Sequence, residues 1–269
     1  MALRIFELTP QTRRTWESGI AGLEQGISYP LGQDRFTIDH GLDYFAFFDR
    51  MGPASTYVAT VDQKVAAVGS LVSRRIPPSP GRTPVDTWYL CDLKVNRPHR
   101  RKRIPIRMFS AGFRSKYTIC PRGYAISMNP SDGSENPIVR LARHITLAPV
   151  STGPTLLFYS LSCADMIRIR PFVEEHLGPI GFLSLKGVKD IVLQSTGLPM
   201  PLLHLQHGPC AVDGLHDPQD EHVHMFCTPM TDPLAEVMLQ QGVAATATAS
   251  ILHHRMKNWD WRFVLSSEI

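Results

Sequence analysis

Apolar and polar positions alternate over residues 3–8 as in a short strand. Thr9 and Pro10 then supply an N-cap and a proline at the first helical position. They open a helix that carries Trp16, Ile20 and Leu23 on one face. Residues 25–40 hold Gly, Pro and Asp and are expected as loop, and the aromatic run HGLDYFAFFDRMG as a short helix against the core. Residues 56–61 and 64–75 are β-prone on either side of Asp62-Gln63, a hairpin pattern, and the prolines of IPPSPGRTP exclude regular structure after them. TWYLCDLKV, residues 87–95, reads as a buried strand. A basic loop leads from it into a helix beginning near Pro105, with Ile106, Phe109, Phe113 and Tyr117 at helical spacing. A strand at 124–129 and a helix at 135–144 follow.

Beyond Gly153 the pattern predicts a strand in LLFYSLS, a helix at 166–176 and strands within IGFLSLKGVKDIVLQ and PLLHLQH. The turn-rich HGPCAVDGLHDPQDEH is expected as a surface loop. It is followed by a strand (HVHMFCTP), a helix (DPLAEVMLQQG) and two strands (TATASIL and WDWRFVL). The order strand, Pro-containing loop, helix, strand occurs twice, first in AISMNP through NPIVRLARH to LLFYSLS, then here. The alternation predicts a mixed α/β fold.

Composition narrows the class. The chain has 269 residues, 43% of them hydrophobic and 19% charged, enough for a sizeable core and too apolar for disorder. Five scattered cysteines (Cys91, Cys120, Cys163, Cys210, Cys227) without a C-x-x-C pair suit reduced thiols, and the N-terminus lacks a long apolar segment. No stretch approaches the length of a membrane span. The expectation is a cytoplasmic protein.

Chemistry concentrates in YLCDLKVNRPHRRKRIPIRMF, residues 89–109. A buried strand runs through Arg100, Arg101, Lys102 and Arg103 straight into a helix N-terminus, whose unpaired N–H groups and positive dipole end favour phosphate. These residues resemble the GNAT superfamily of N-acetyltransferases, whose fingerprint is approximately E-D-L-x-V-x-P-x-x-R-G-x-G-I-G. Asp92, Leu93 and Val95 match its strand, and Arg100, Lys102 and Ile104 its loop. Cys91 stands for the acidic residue, the proline is one position late at Pro98, and Arg101, Arg103 and Pro105 replace the loop glycines. The resemblance covers about residues 1–165.

It implies a GNAT-like domain over residues 1–152, with residues 153–269 an α/β extension that completes the sheet or forms a degenerate second half. It also implies transfer of an acyl group to a primary amine (small molecule, amino acid or peptide side chain) by direct attack in a ternary complex. The donor would be acyl-CoA or, since arginines suit an acidic partner, an acyl-phosphopantetheine on acyl carrier protein. Relatives that take long acyl chains, such as N-acyl amino acid synthases, also have altered phosphate loops. Donor-binding residues would be Leu93, Val95, Arg100, Arg101, Lys102, Arg103, Ile104, Asn129 and Asn136. A strand N–H between residues 93 and 95 would polarise the thioester carbonyl. Asp92 is the first candidate for deprotonating the amine and Tyr89 the second. The fourth helix lacks the usual tyrosine acid, leaving Tyr159 or His144 in its place. A non-catalytic ligand- or partner-binding role is the rival reading, and a homodimer is left open.

The basic run lacks the aromatic interleaving of a single-strand nucleic-acid site, and its place between a strand and a helix favours a phosphate in a site instead. His222 and His224 with Cys227 have partial zinc-ligand spacing, but no second pair accompanies them, so no metal is expected. Cys91 is read as a buried thiol.

Overall fold

The computed structural model describes residues 2–31, 34–211 and 214–269, apart from the side chains of residues 30 and 210. The cysteine reading at Cys210 and the part of the surface loop at residues 212–213 lie outside the described residues.

The N-terminal part runs β1 (Leu3–Glu7), α1 (Pro10–Gln25), β2 (Tyr29–Leu31), β3 (Asp34–Asp39), α2 (Ala46–Met51), β4 (Ala54–Val61), β5 (Lys64–Ile76), β6 (Val85–Val95), α3 (Ile104–Lys116), β7 (Gly123–Met128) and α4 (Pro137–Ala142). Then follow β8 (Ser151–Leu161), α5 (Cys163–Leu177), β9 (Ile180–Ser184), β10 (Asp190–Leu193), β11 (Leu202–His207), β12 (Val223–Pro229), α6 (Pro233–Gln240) and β13 (Ala247–His254). Local sequence accounts for most boundaries. Thr9 caps α1 through a reciprocal bond with Thr12, and Asp62 and Gln63 take left-handed φ angles of 49° and 65° in the β4–β5 turn.

One mixed ten-stranded sheet runs through the whole chain in the order β1-β4-β5-β6-β7-β13-β8-β12-β11-β9. On one face, α1 and α2 cover a core containing Ile20, Phe48, Val68, Val72 and Ile251. On the other, α3 packs through Ile104 and Met108 on Ala59 and Ala67, while α5 and α6 cover Tyr159, Leu203 and Phe226. β7–α4–β8 and β12–α6–β13 have the same form. Each opens its helix with a capped Xaa-Pro (Asn136-Pro137, Asp232-Pro233), and their closing strands pair side by side at the middle of the sheet.

Two expectations are corrected. Residues 25–40 are not all loop. They contain β2 and β3, which pair with each other, and β3 pairs in turn with the distant β10 in a separate three-stranded sheet, so the strand that completes this sheet lies about 150 residues away. WDWRFVL is not a strand but a short 3-10 turn at Trp261–Phe263, because Trp261 and Val264 pack into the core from outside the sheet.

Candidate active site

β6 and β7 run parallel but pair only at Trp88–Gly123, Tyr89–Tyr124 and Leu90–Ala125. Beyond Leu90 they part. The β5–β6 register also slips by one residue between Val68 and Ser70, a bulge at Asp92-Leu93, and Asp92 sits at φ 57°. The segment from Cys91 to Val95 thus has no strand partner on its β7 side, and its residues Cys91 to Lys94 line a cavity of about 470 Å³ that reaches both faces of the sheet. On the α3 face its wall comes from Ile106, Phe109, Phe113, Ile138 and Leu141; on the α1 face from Phe36, His40, Phe47 and Lys189.

Past Val95 the chain makes a short 3-10 turn at Arg97–His99 and enters α3 through Arg103 as N-cap. Arg101 and Arg103, which stand where the family pattern has glycine, adopt φ of 65° and 54°. The loop keeps a glycine-type backbone despite its side chains, at a cost of about 1–2 kcal/mol per residue. Successive N–H groups in such a loop form an anion-binding concavity. Arg101, Lys102 and Arg103 are exposed and, among the described residues, have no ion-pair partner; Arg100 donates to the Val95 carbonyl at 3.3 Å. The four cations do not line the main cavity. They ring the entry to α3, whose first turn does line it through Pro105 and Ile106. Helix α3 begins at Ile104, so Pro105 occupies its second position rather than its first; the missing N–H is still one the helix leaves unpaired.

Asp92 does not stand free in the cavity. Its side chain is about 8% exposed, pairs with Lys94 and accepts from the Tyr44 hydroxyl. Lys94 pairs as well with Glu24 of α1, and His40 Nε2 lies 3.4 Å from Glu24 Oε2. Burial raises the Asp92 carboxyl above its usual range against the pull of Lys94. Glu24 is lowered, because the His40 and Lys94 contacts outweigh its burial. The carboxylates raise Lys94 despite its own burial. Glu24, His40 and Asp92 place possible ligand atoms within 4.8 Å of one another, but the Lys94 ammonium already bridges the two carboxylates.

Tyr89 is fully buried and stacked on Tyr124, ring centroids 4.8 Å apart, and burial pushes its phenol well above the ordinary value. The Tyr124 hydroxyl accepts from Arg74, which pairs with Glu268. Burial drives the Cys91 thiol up to about 12, the inert state expected of it. Leu93 lines the cavity, whereas Val95 and Ile104 pack in or against the core cluster under α3.

Asn129 and Asn136 are placed away from the cavity. Asn136 caps α4 and donates to Ser127, Met128 and Asn129; Asn129 bonds Thr248, Asn136 and Ser250, tying this loop to β13. Their amides are spent on the fold. Tyr159 lies in the core cluster under α5, stacked on Phe226, and His144 is exposed beyond α4, so neither reaches the cavity. His224 and Cys227 project to opposite faces of β12, the first against Phe182, the second toward Val264, which separates the suspected zinc ligands. Sequence reading missed Glu24, His40 and Tyr44. Nothing in their local pattern marks them, because only the packing of α1 and of the segment between β3 and α2 against β6 brings them to Asp92 and Lys94.

The C-terminal half contains a second parting. β11 and β12 are parallel and pair only at Leu202–Val223, Leu203–His224 and His204–Met225. Here the chain's own last residues bridge the gap. Ser266 bonds His204 and the Met225 carbonyl at 3.0 Å each, Gln206 donates to Ser267 at 3.0 Å, and Cys227 donates to the Val264 carbonyl at 3.5 Å.

No family model and no curated protein sequence matches the chain. Solved structures do. A tandem GNAT protein from the clavulanic acid biosynthesis pathway aligns over 95% of this chain and 99% of its own, with a TM-score of 0.54 and 11% identity. A GNAT acetyltransferase from Streptococcus pneumoniae aligns over 57% of this chain and 87% of its own (TM-score 0.39, 9% identity), and the IAA acetyltransferase of Bacillus cereus over 58% and 81% (TM-score 0.36, 14% identity). The full-length alignment agrees with the two partings and the repeated strand–helix–strand unit: the chain has the GNAT fold in its tandem, two-half form.

Proposed function

We propose that the chain is an N-acyltransferase that moves an acyl group from a phosphopantetheine thioester, on coenzyme A or acyl carrier protein, to an amine. The observation that carries this reading is the β6–β7 parting, bulged at Asp92-Leu93 and opening against an apolar wall, with a loop of exposed cations at the entry to the helix that forms part of that wall. Arg100, Arg101, Lys102 and Arg103 would hold the phosphate with the N–H groups of the αL loop. Backbone N–H groups from Leu93 to Val95 would polarise the thioester carbonyl. The amine would approach from the α1 face, where Asp92, with its raised carboxyl, accepts a proton more readily than Glu24. Tyr89, the second candidate, is held protonated across the working range by burial and is not suited to act as a base.

The test is thiol release from acetyl and longer-chain acyl thioesters of coenzyme A and of carrier protein against a panel of amines. Asp92→Asn is expected to lower turnover by about a hundredfold with donor affinity retained. One observation favours the non-catalytic rival: both Asp92 oxygens are engaged, by Lys94 and Tyr44. That reading, a ligand- or partner-binding protein, requires that no donor releases thiol with any amine. Failure of both coenzyme A and phosphopantetheine to bind would sink the transferase reading.

A further inference from the structure

The cavity does not stop where β6 and β7 begin to pair. On the α3 face it continues past Leu90 and Ala125 to Trp88 and His254, under Phe113 and Tyr117. The sheet is shallow there because β7 presents Gly123 and Ala125 to that face. A Cβ on Gly123 would come within 3.2 Å of the Trp88 carbonyl and 3.4 Å of Leu90 Cδ1. Trp88, Gly123 and His254 stand in register across β6, β7 and β13, so the indole and imidazole flank a position without a side chain. Aromatic rings roof this trough: Phe113 lies 4.6 Å from Tyr117, and His254 lies 6.2 and 6.3 Å from the two.

The far end carries two buried polar atoms without a protein partner, Trp88 Nε1 and His254 Nε2. Indole N–H is a donor only. His254 Nδ1 lies 2.7 Å from the Pro149 carbonyl, which can only accept, so Nδ1 holds the hydrogen and Nε2 of the neutral ring is an acceptor. An apolar trough thus ends in one bare donor and one bare acceptor, and buried groups of that kind ordinarily find a partner. A hydroxyl supplies both functions at once.

We infer that this trough is the acyl pocket, and that the donor is a chain longer than acetyl bearing a hydroxyl near its far end, bonded by Trp88 and His254. The inference rests on the donor reading above. The strand rise of about 3.3 Å per residue puts Trp88 about 7 Å below the last β6–β7 pair, room for several methylenes before the polar end.

The experiment is calorimetric binding of phosphopantetheine and its acetyl, octanoyl and ω-hydroxyoctanoyl thioesters, probes common to coenzyme A and carrier-protein donors. The octanoyl thioester is expected to bind at least tenfold more tightly than the acetyl, from buried methylenes at about 0.8 kcal/mol each. The hydroxylated chain should gain about a further fivefold, one net hydrogen bond. Trp88→Phe and His254→Phe each remove that last preference, and Ala125→Leu removes the preference for the long chain. Equal affinity for acetyl and octanoyl thioesters, with phosphopantetheine still bound, overturns the acyl pocket and leaves the donor reading standing. Equal affinity for the two long chains overturns the hydroxyl assignment. No binding of phosphopantetheine itself removes both proposals. The ligand series on the unaltered chain decides the matter even if a variant fails to fold.

Discussion

The two halves of this chain build the same parting of parallel strands and treat it in opposite ways. In the first, β6 and β7 separate after three residue pairs and the gap opens into a cavity. In the second, β11 and β12 also separate after three pairs, but Val264, Ser266 and Ser267 stitch them together on the α1 face, and Phe226, Leu205, Met166 and Leu234 pack the other face solid. The connections differ in charge as sharply. The β6–β7 link carries Arg97, Arg100, Arg101, Lys102 and Arg103 into a thirteen-residue helix. The β11–β12 link, residues 208–222, has Asp213, Asp217, Asp220 and Glu221, no Lys or Arg, and among its described residues a 3-10 turn but no α-helix. An acidic connection without a helix N-terminus repels a phosphate. A shared topology therefore supplies the gap, and the side chains decide whether it is a site or a seam.

The sharpest way to break this comparison is to remove the positive loop. Replacing Arg100, Arg101 and Arg103 together by Ala is expected to weaken phosphopantetheine binding by about a hundredfold or more, since each charge-assisted bond is worth about tenfold. Thermal stability should change little, because Arg101 and Arg103 are exposed without an ion-pair partner among the described residues and Arg100 gives up only its bond to the Val95 carbonyl. Calorimetry on the unaltered chain should give one bound equivalent; two would mean that the second parting is also a site.

Next in size is the seam itself. Glu268 pairs with Arg74, with side chains about 10% and 15% exposed, and Arg74 also holds the Tyr124 hydroxyl. Glu268→Ala should cost about 3 kcal/mol in denaturant unfolding, because it leaves a buried guanidinium uncompensated. Retained stability would mean that the last residues are not integral to the fold.

The seam should also respond to acid. Burial, reinforced by the charges of Lys189 and Arg50, holds the His204 imidazole down at about 3, against about 6.5 when unfolded. Its contribution is whole above the unfolded value and is lost as pH falls from about 6.5 toward 3, where the unfolded chain binds a proton that the folded one refuses. Thermal unfolding of His204→Gln should accordingly fall less steeply between pH 7 and pH 4. The smallest effect is expected from Ser266→Ala, about 1 kcal/mol in denaturant unfolding for two neutral hydrogen bonds. Unchanged stability there would show that Ser266 does not hold the seam.

Much of this was readable along the chain. Thr9-Pro10, the Asp62-Gln63 turn, the β6 strand and the basic entry to α3 are local signals, settled by capping, turn chemistry and periodicity within a few residues. The repeated strand–Pro–helix–strand order likewise marked the two halves before their sheet partners were known. The failures were nonlocal. Asn129 and Asn136 lie in a loop where a donor site was expected, yet Thr248 and Ser250, more than a hundred residues on, take up the Asn129 amide. Ile106, Phe109 and Phe113 read as the apolar stripe of an amphipathic helix and line the cavity, while Ile104 and Met108 make the core contact. A period identifies a helix's apolar face without saying whether protein or ligand covers it.

The sequence alone determined most of the elements, their order and where positive charge meets a helix, because propensity, capping and charge act over a turn or two. Only the tertiary structure decided that Asp92 meets Glu24, Lys94 and Tyr44, that β2 and β3 find β10, and that one parting stays open while the other is bridged by Ser266 and Ser267. Those outcomes depend on which distant surfaces come together to bury apolar area and satisfy buried polar groups, and no window of the chain contains both partners.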